Sequence, residues 1–146
     1  IASVLALAYV MNFSGQTIAM GTFLAGLGTV YAFLAPALGW IGTAVTGSDT
    51  SANALFSKLQ VSAAENLQHA GIHGATPELM LAANTTGGVV GKMISPQSLA
   101  IAATSVDMEG KESDILKAVL PWSFAMLLVV CVLVFLQTNV LSFLVP

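Results

Sequence analysis

The chain has 146 residues, 56% of them hydrophobic and 8% charged, with a net charge of −3. Soluble domains carry roughly 25% charged residues, so this composition excludes an ordinary water-soluble fold and places most of the chain in lipid or inside a membrane protein. Four lysines and no arginine exclude nucleic acid as a partner, because nucleic acid is bound through clustered basic side chains.

Residues 1–14 lack an initiator Met and a basic leader. They read as the end of an apolar helix entered part-way and closed by Asn12-Phe13-Ser14-Gly15, so the chain is expected to be the C-terminal part of a longer protein. Residues 17–45 carry no charge. As one helix they would measure about 43 Å, more than the ~30 Å hydrocarbon core. Pro36 and Gly39 therefore predict a spanning helix over 17–34, a turn at Ala35-Pro36 and a half-helix over 37–46. The polar string Gly47-Ser48-Asp49-Thr50-Ser51-Ala52-Asn53 follows, then a helix over 54–68, so 37–68 reads as a re-entrant hairpin with its tip at 47–53.

Lys58, Glu65 and His69 carry the far end of the returning helix out of the hydrocarbon. Thr76-Pro77-Glu78 is a helix start, with a Thr cap, Pro at the first helical position and an acid in the first turn. Residues 77–105 read as a broken helix, interrupted at Asn84-Thr85-Thr86-Gly87-Gly88 and restarted at Ser95-Pro96. Residues 107–114 form an aqueous loop. An interfacial helix over 114–120 precedes a last span, opened by Pro121-Trp122 at the membrane interface and running to 145. The fold class is an all-α membrane protein with a re-entrant helical hairpin and a discontinuous transmembrane helix.

A bilayer tolerates unwound polar backbone only where protein or a water-filled cavity surrounds it, and paired interruptions point to a transporter's binding site near the midplane. At the first, Ser48 or Asp49 caps the returning helix. Ser48, Asp49, Thr50, Ser51 and Asn53 then crowd polar groups at a helix N-terminus, which favours anions; an ordinary loop outside the membrane is the alternative. At the second, Asn84, Thr85 and Thr86 offer an amide and hydroxyls, and Gly87 and Gly88 permit unusual backbone angles.

Lys92 lies near the middle of its segment. A lysine at the centre of a membrane helix costs roughly 2.5–3.5 kcal/mol on insertion scales, so it should face a cavity or a partner. It is read as the counter-charge of a substrate carboxylate, aided by the helix start at Ser95; an ion pair with Asp49, or snorkelling, is the structural alternative. Asp49 is read as the carrier of a coupling proton, since desolvation favours the neutral acid, or as a helix cap that never titrates. Glu65 and His69, four residues apart on one helix, form an interfacial pair, and Cys131 is a small buried or lipid-facing hydrophobe. No enzyme motif and no metal-ligand cluster occurs, and no cofactor is expected beyond the proton.

The strings Gly39-Trp40-Ile41-Gly42-Thr43-Ala44-Val45-Thr46 with the first polar string, Ala83-Asn84-Thr85-Thr86-Gly87-Gly88-Val89-Val90-Gly91-Lys92-Met93-Ile94-Ser95-Pro96-Gln97-Ser98, and Gly110-Lys111-Glu112-Ser113-Asp114 together resemble the bacterial lactate permease family over essentially the whole chain. The resemblance implies an ion-transporter-like helical bundle, with a hairpin and a broken helix in each of two inverted repeats, of which this chain supplies one. It implies proton-coupled uptake of L-lactate, D-lactate or glycolate across the bacterial inner membrane by a multi-pass protein. The partners implied are a small monocarboxylate, membrane lipid and the remaining N-terminal part of the permease. A non-transporting membrane subunit and an ion-coupled carrier for other carboxylates are the rival readings.

Overall fold

The structure, a computed structural model, describes residues 2–141, and their regular elements are all helical. In chain order these are α1 (Ala2–Phe13), α2 (Gln16–Ala25), α3 (Thr29–Thr46), α4 (Asp49–His69), α5 (Pro77–Gly91), a 3-10 turn (Lys92–Ile94), α6 (Pro96–Ser105) and α7 (Glu112–Asn139). The expected helix start at Ile1 and the expected end of the last span at 145 lie outside the described residues.

Local chemistry sets most of the helix ends. Gly47 closes α3 at φ 71°, a left-handed conformation that glycine adopts without penalty, and its N–H donates to the Thr43 carbonyl at 2.8 Å. Ser48 caps α4 by accepting the Ser51 N–H at 3.3 Å. Thr76 and Ser95 cap α5 and α6 in the same way, each followed by Pro at the first helical position.

Helices α3, α4 and α5 form the centre. The Gln60 amide of α4 donates to the Ala35 carbonyl of α3 at 3.0 Å, and Gly42 lies against Ala52 and Phe56, so α3 and α4 form an antiparallel hairpin. Helix α5 returns antiparallel to α4, with Asn84 against Asn53 and Gly88 against Asp49. It therefore runs parallel to α3, Gly87 meeting Pro36 and Gly91 meeting Trp40. A Cβ on Gly39, Gly87 or Gly91 would collide with backbone of the facing helix, at Asn84, Pro36 and Trp40 respectively. Small residues of this kind let membrane helices approach backbone to backbone.

The structure departs from five of the expected boundaries. Helix α3 runs unbroken through Pro36, because Ala35, Pro36 and Gly39 are buried against α5. The break falls earlier, at Gly26-Leu27-Gly28, where Gly28 has φ 59° and ψ −137°, so the helix expected over 17–34 divides into α2 and the start of α3. Helix α4 begins at Asp49 rather than 54, which shrinks the tip to Gly47-Ser48. Helix α5 passes straight through Asn84–Gly88, whose glycines serve close contact instead of unwinding; the discontinuity lies at residues 92–95, where Ser95 is extended. Residues 114–120 are not a separate helix, since α7 continues through Pro121.

Helix α7 buries Ser123, Leu127, Cys131, Val134 and Thr138, a single stripe at helical spacing. Its other faces expose apolar residues such as Trp122, Leu128 and Val129. At 28 residues it measures about 42 Å, enough to cross a bilayer. Helix α3, with 18 residues, also has the length and hydropathy of a span, and α1 with α2 would make a third, bent by 73°.

Gly87→Ala in the full-length protein should lower stability by about 1–3 kcal/mol or more, the usual cost of overpacking. Thr86→Ala, which removes an exposed hydroxyl bonded only to the Ala82 carbonyl, should change it by about 0.5 kcal/mol or less. Thermal unfolding of the purified proteins compares them, and equal effects would contradict the close α3–α5 contact.

Candidate functional site

Helices α3, α4 and α5 pack closely, and where their polar side chains are buried those side chains bond to one another. Gln60, on α4, is fully buried, and its amide nitrogen donates to the Ala35 carbonyl. A carbonyl only accepts, which fixes the orientation of the Gln60 amide. Its oxygen accepts the Tyr31 hydroxyl at 2.5 Å, and its nitrogen also donates to Asn84 Oδ1 at 3.3 Å. Asn84 Nδ2 must then donate onward, and does so to Asn53 Oδ1 at 2.7 Å; Asn53 Nδ2 in turn donates to Asp49 Oδ2 at 3.1 Å. The Thr85 hydroxyl joins at Asn53 Oδ1, at 3.2 Å. The result is a directed chain, Tyr31–Gln60–Asn84–Asn53–Asp49, that links three helices and terminates on the carboxylate.

Beyond Asp49 the bonding stops. Asp49 Oδ1 and the hydroxyl oxygen of Thr43 are both buried without a hydrogen-bond partner, and both lie where a Cβ on Gly88 would collide with them.

Of the polar residues singled out in the sequence, Asp49, Asn53, Asn84, Thr85, Gly87 and Gly88 meet here. Ser48 and Ser95 cap their helices, and the Gln97 side chain lies against Gly47, so the first turns of α4 and α6 share one end of the molecule. Thr50 and Ser51 do not join; with Val4, Leu5 and Ala54 they line a crevice of ≈ 80 Å³ facing α1. The Thr86 hydroxyl is spent on the Ala82 carbonyl of its own helix. Lys92 is exposed and faces no partner. The ion pair with Asp49 does not form; among the described residues the only salt bridge is Lys117–Asp114, on the surface at 3.6 Å. Lys92 lies on the outward face of α5, in line with Thr85 and Val89 at intervals of four and three residues, and all three are exposed.

Tyr31, Gln60 and Thr43 are the residues that sequence reasoning missed. Gln60 carried a signal, an uncharged amide between Leu59 and Ala63 on the buried face of α4, since an amide buried there must be bonded. Thr43 carried none, because a threonine in a helix ordinarily bonds the carbonyl four residues back.

A helix that is apolar nearly all round, beside a bundle that carries a polar chain from its buried centre, defines a helical membrane protein. The comparisons with known proteins agree. The sequence model of the family described as L-lactate permease matches residues 1–141, and the chain belongs to that family. It is 47% identical to the L-lactate permease of Bacillus subtilis (strain 168) and 45% identical to that of Escherichia coli (strain K12), in both cases over all of this chain and 25% of the relative. It is 42% identical to the glycolate permease GlcA of Escherichia coli (strain K12), over 97% of this chain and 24% of the relative. The chain thus spans about a quarter of the length of these relatives. No solved structure matches it.

Asn84→Leu would remove the acceptor of one N–H of the buried Gln60 amide, which keeps its other bond to the Ala35 carbonyl, at about 1–3 kcal/mol for a buried group left unpaired. The expected outcome is a clear loss of thermal stability in the purified full-length permease. Lys92→Gln, at an exposed position, should stay within about 0.5 kcal/mol of the parent.

Proposed function

We propose that this chain supplies part of the substrate and proton site of a secondary transporter that carries L-lactate, and with it D-lactate or glycolate, across the bacterial inner membrane by proton symport. The observation that carries this reading is the directed hydrogen-bond chain ending on Asp49. In a membrane, an ionisable group held inside a helix bundle marks an ion pathway. The family and the printed names of its relatives supply the substrate class.

In this reading the α3–α4 hairpin is re-entrant, with its tip at Gly47-Ser48, and α5, the 3-10 turn and α6 are one discontinuous helix in an ion-transporter-like architecture. The substrate approaches the outward face of α5. Lys92 supplies the positive charge for its carboxylate, and the Thr85 hydroxyl, with the N-terminal ends of α4 and α6, supplies hydrogen-bond donors and positive potential. Asp49 takes up the coupling proton. The rest of the permease closes this face and completes the site.

The rival reading, a non-transporting membrane subunit, draws on the same chain, since a fully bonded amide ladder also holds helices together. Full-length permease in proteoliposomes separates the two. Transport predicts saturable uptake of labelled L-lactate, driven by an inward proton gradient and competed by glycolate. Asp49→Asn should abolish uphill uptake, and Lys92→Gln should weaken lactate affinity about tenfold, a loss of ~1.4 kcal/mol. Uptake that ignores the proton gradient would remove the symport reading; competition by succinate or citrate without glycolate would favour a carrier of other carboxylates.

A further inference from the structure

A hydroxyl inside a helix ordinarily bonds the carbonyl four residues back on its own helix, and Thr86, Ser105 and Thr138 do so here. Ser123 of α7 is aimed elsewhere. It has no exposed surface, accepts the Trp40 indole N–H of α3 at 2.9 Å and donates to the Val90 carbonyl of α5 at 3.2 Å. Both directions are fixed by chemistry. An indole nitrogen only donates, so Ser123 Oγ must accept from it. The single hydroxyl hydrogen is then left for Val90, whose carbonyl only accepts.

This bond is made at the end of α5. Val90 lies one residue before Gly91, the last residue of the helix, and two before Lys92, which opens the 3-10 turn. Past Lys92 the regular helix gives way to that turn and to the extended Ser95, so the helix ladder alone restrains the lysine from one side only. Two neighbours supply the rest. Gly91 packs on the Trp40 backbone, and Val90 packs on Leu127 and Cys131 of α7. Residues two apart on a helix point roughly 200° apart. Holding Val90 inward against α7 therefore holds Lys92 outward, and Val90 is buried while Lys92 is exposed.

We propose that Ser123, oriented by the Trp40 indole, is the positioning residue for Lys92 in substrate binding. This rests on the reading of Lys92 as the counter-charge of the substrate carboxylate, and adds what holds that charge in place. Ser123 touches no substrate. It fixes the rotation of the last turn of α5, so that the ammonium stays on the face that carries Thr85. Without the hydroxyl, the Val90 carbonyl loses this donor and the indole N–H loses its acceptor. The end of α5 is then free to turn, and the charge and the Thr85 hydroxyl are no longer held at one spacing for one carboxylate.

The test uses full-length permease in proteoliposomes, with uptake of labelled L-lactate measured across concentrations. Ser123→Ala should raise the half-saturating concentration about fivefold, the scale of one lost hydrogen bond. The maximal rate should stay within about twofold of the parent, because binding is what changes. Trp40→Phe keeps a ring beside Phe124 and removes the N–H that orients Ser123, and should shift the same constant in the same direction. Thr138→Ala deletes another buried α7 hydroxyl, one bonded within its own helix, and should leave the constant unchanged. In a Lys92→Gln background Ser123→Ala should raise it no further, since both act through one charge. An equal rise in both backgrounds would make Ser123 purely structural and overturn the inference. So would the parental constant in both Ser123→Ala and Trp40→Phe, or an equal shift in Thr138→Ala, and each of these leaves Lys92 as the counter-charge. If Ser123→Ala does not fold, Trp40→Phe with and without Lys92→Gln makes the same comparison. Lys92→Gln with the parental constant would remove the counter-charge reading itself, and this inference with it.

Discussion

Everything in the centre of this molecule follows from how closely α3 and α5 approach. Gly39, Gly87 and Gly91 are buried where any Cβ would strike the facing backbone. In lipid, no hydrophobic force drives helices together, so contact between their surfaces and hydrogen bonds across them must do so. Three glycines at the crossing maximise that contact and exclude water from it. The approach also fixes neighbours. Val90 and Trp40, at the level of Gly91, present a carbonyl and an indole N–H to the Ser123 hydroxyl, which donates to the first at 3.2 Å and accepts from the second at 2.9 Å. Helix α7 is thus registered on the α3–α5 pair by one serine, with Phe124 packed on Trp40 at a centroid distance of 5.0 Å.

Burial of Tyr31, Gln60 and Asn84 makes the inner part of the polar chain dependent on its own bonds. In a low-dielectric interior a complete network is strong and a partial one is expensive. The amides of Gln60, Asn84 and Asn53 have orientations that agree from end to end, because the Ala35 carbonyl can only accept and the Asp49 carboxylate sits at the far terminus. The chain is complete until Asp49 Oδ1, which is buried without a partner, as is the Thr43 hydroxyl on the facing helix.

Signals confined to a few adjacent residues were legible in the sequence. Gly47-Ser48, Thr76-Pro77 and Ser95-Pro96 act through their own backbone and the next turn, and the structure has helix boundaries at each. Misreadings arose where one residue type has two uses. Gly87 and Gly88 look alike whether a helix unwinds there or another helix presses against it, and only the position of α3 decides. Pro36 and Pro121 ordinarily interrupt helices, yet both lie inside one, since neighbouring groups can re-satisfy the freed backbone of a membrane helix. Among site residues, Asp49, Asn53 and Asn84 could be picked out by their polarity in apolar surroundings. Their order in a chain through Gln60 and Tyr31 could not, because it depends on contacts between residues 24 to 31 positions apart. The surroundings of Lys92 were not legible for a related reason: its place near the middle of 77–105 carries no information about which side of the helix it occupies.

That side matters to how substrate and proton communicate in the proposed transporter. Asn84 points into the bundle and Thr85, the next residue, lies on the exposed face, yet both donate to the same oxygen, Oδ1 of Asn53. Asn53 is therefore where the outward face of α5 joins the buried chain. In that reading a carboxylate arriving beside Thr85 and Lys92 would compete for the Thr85 hydroxyl. Asn53 Oδ1 would then lose one of its two donors, and the Asn53 amide, whose other end holds Asp49 Oδ2, would be held less firmly. The proposed substrate and proton places would be separated by a single side chain. The coupling needs no long pathway, only an asparagine whose two ends serve two helices, held in place by a contact too close to admit water.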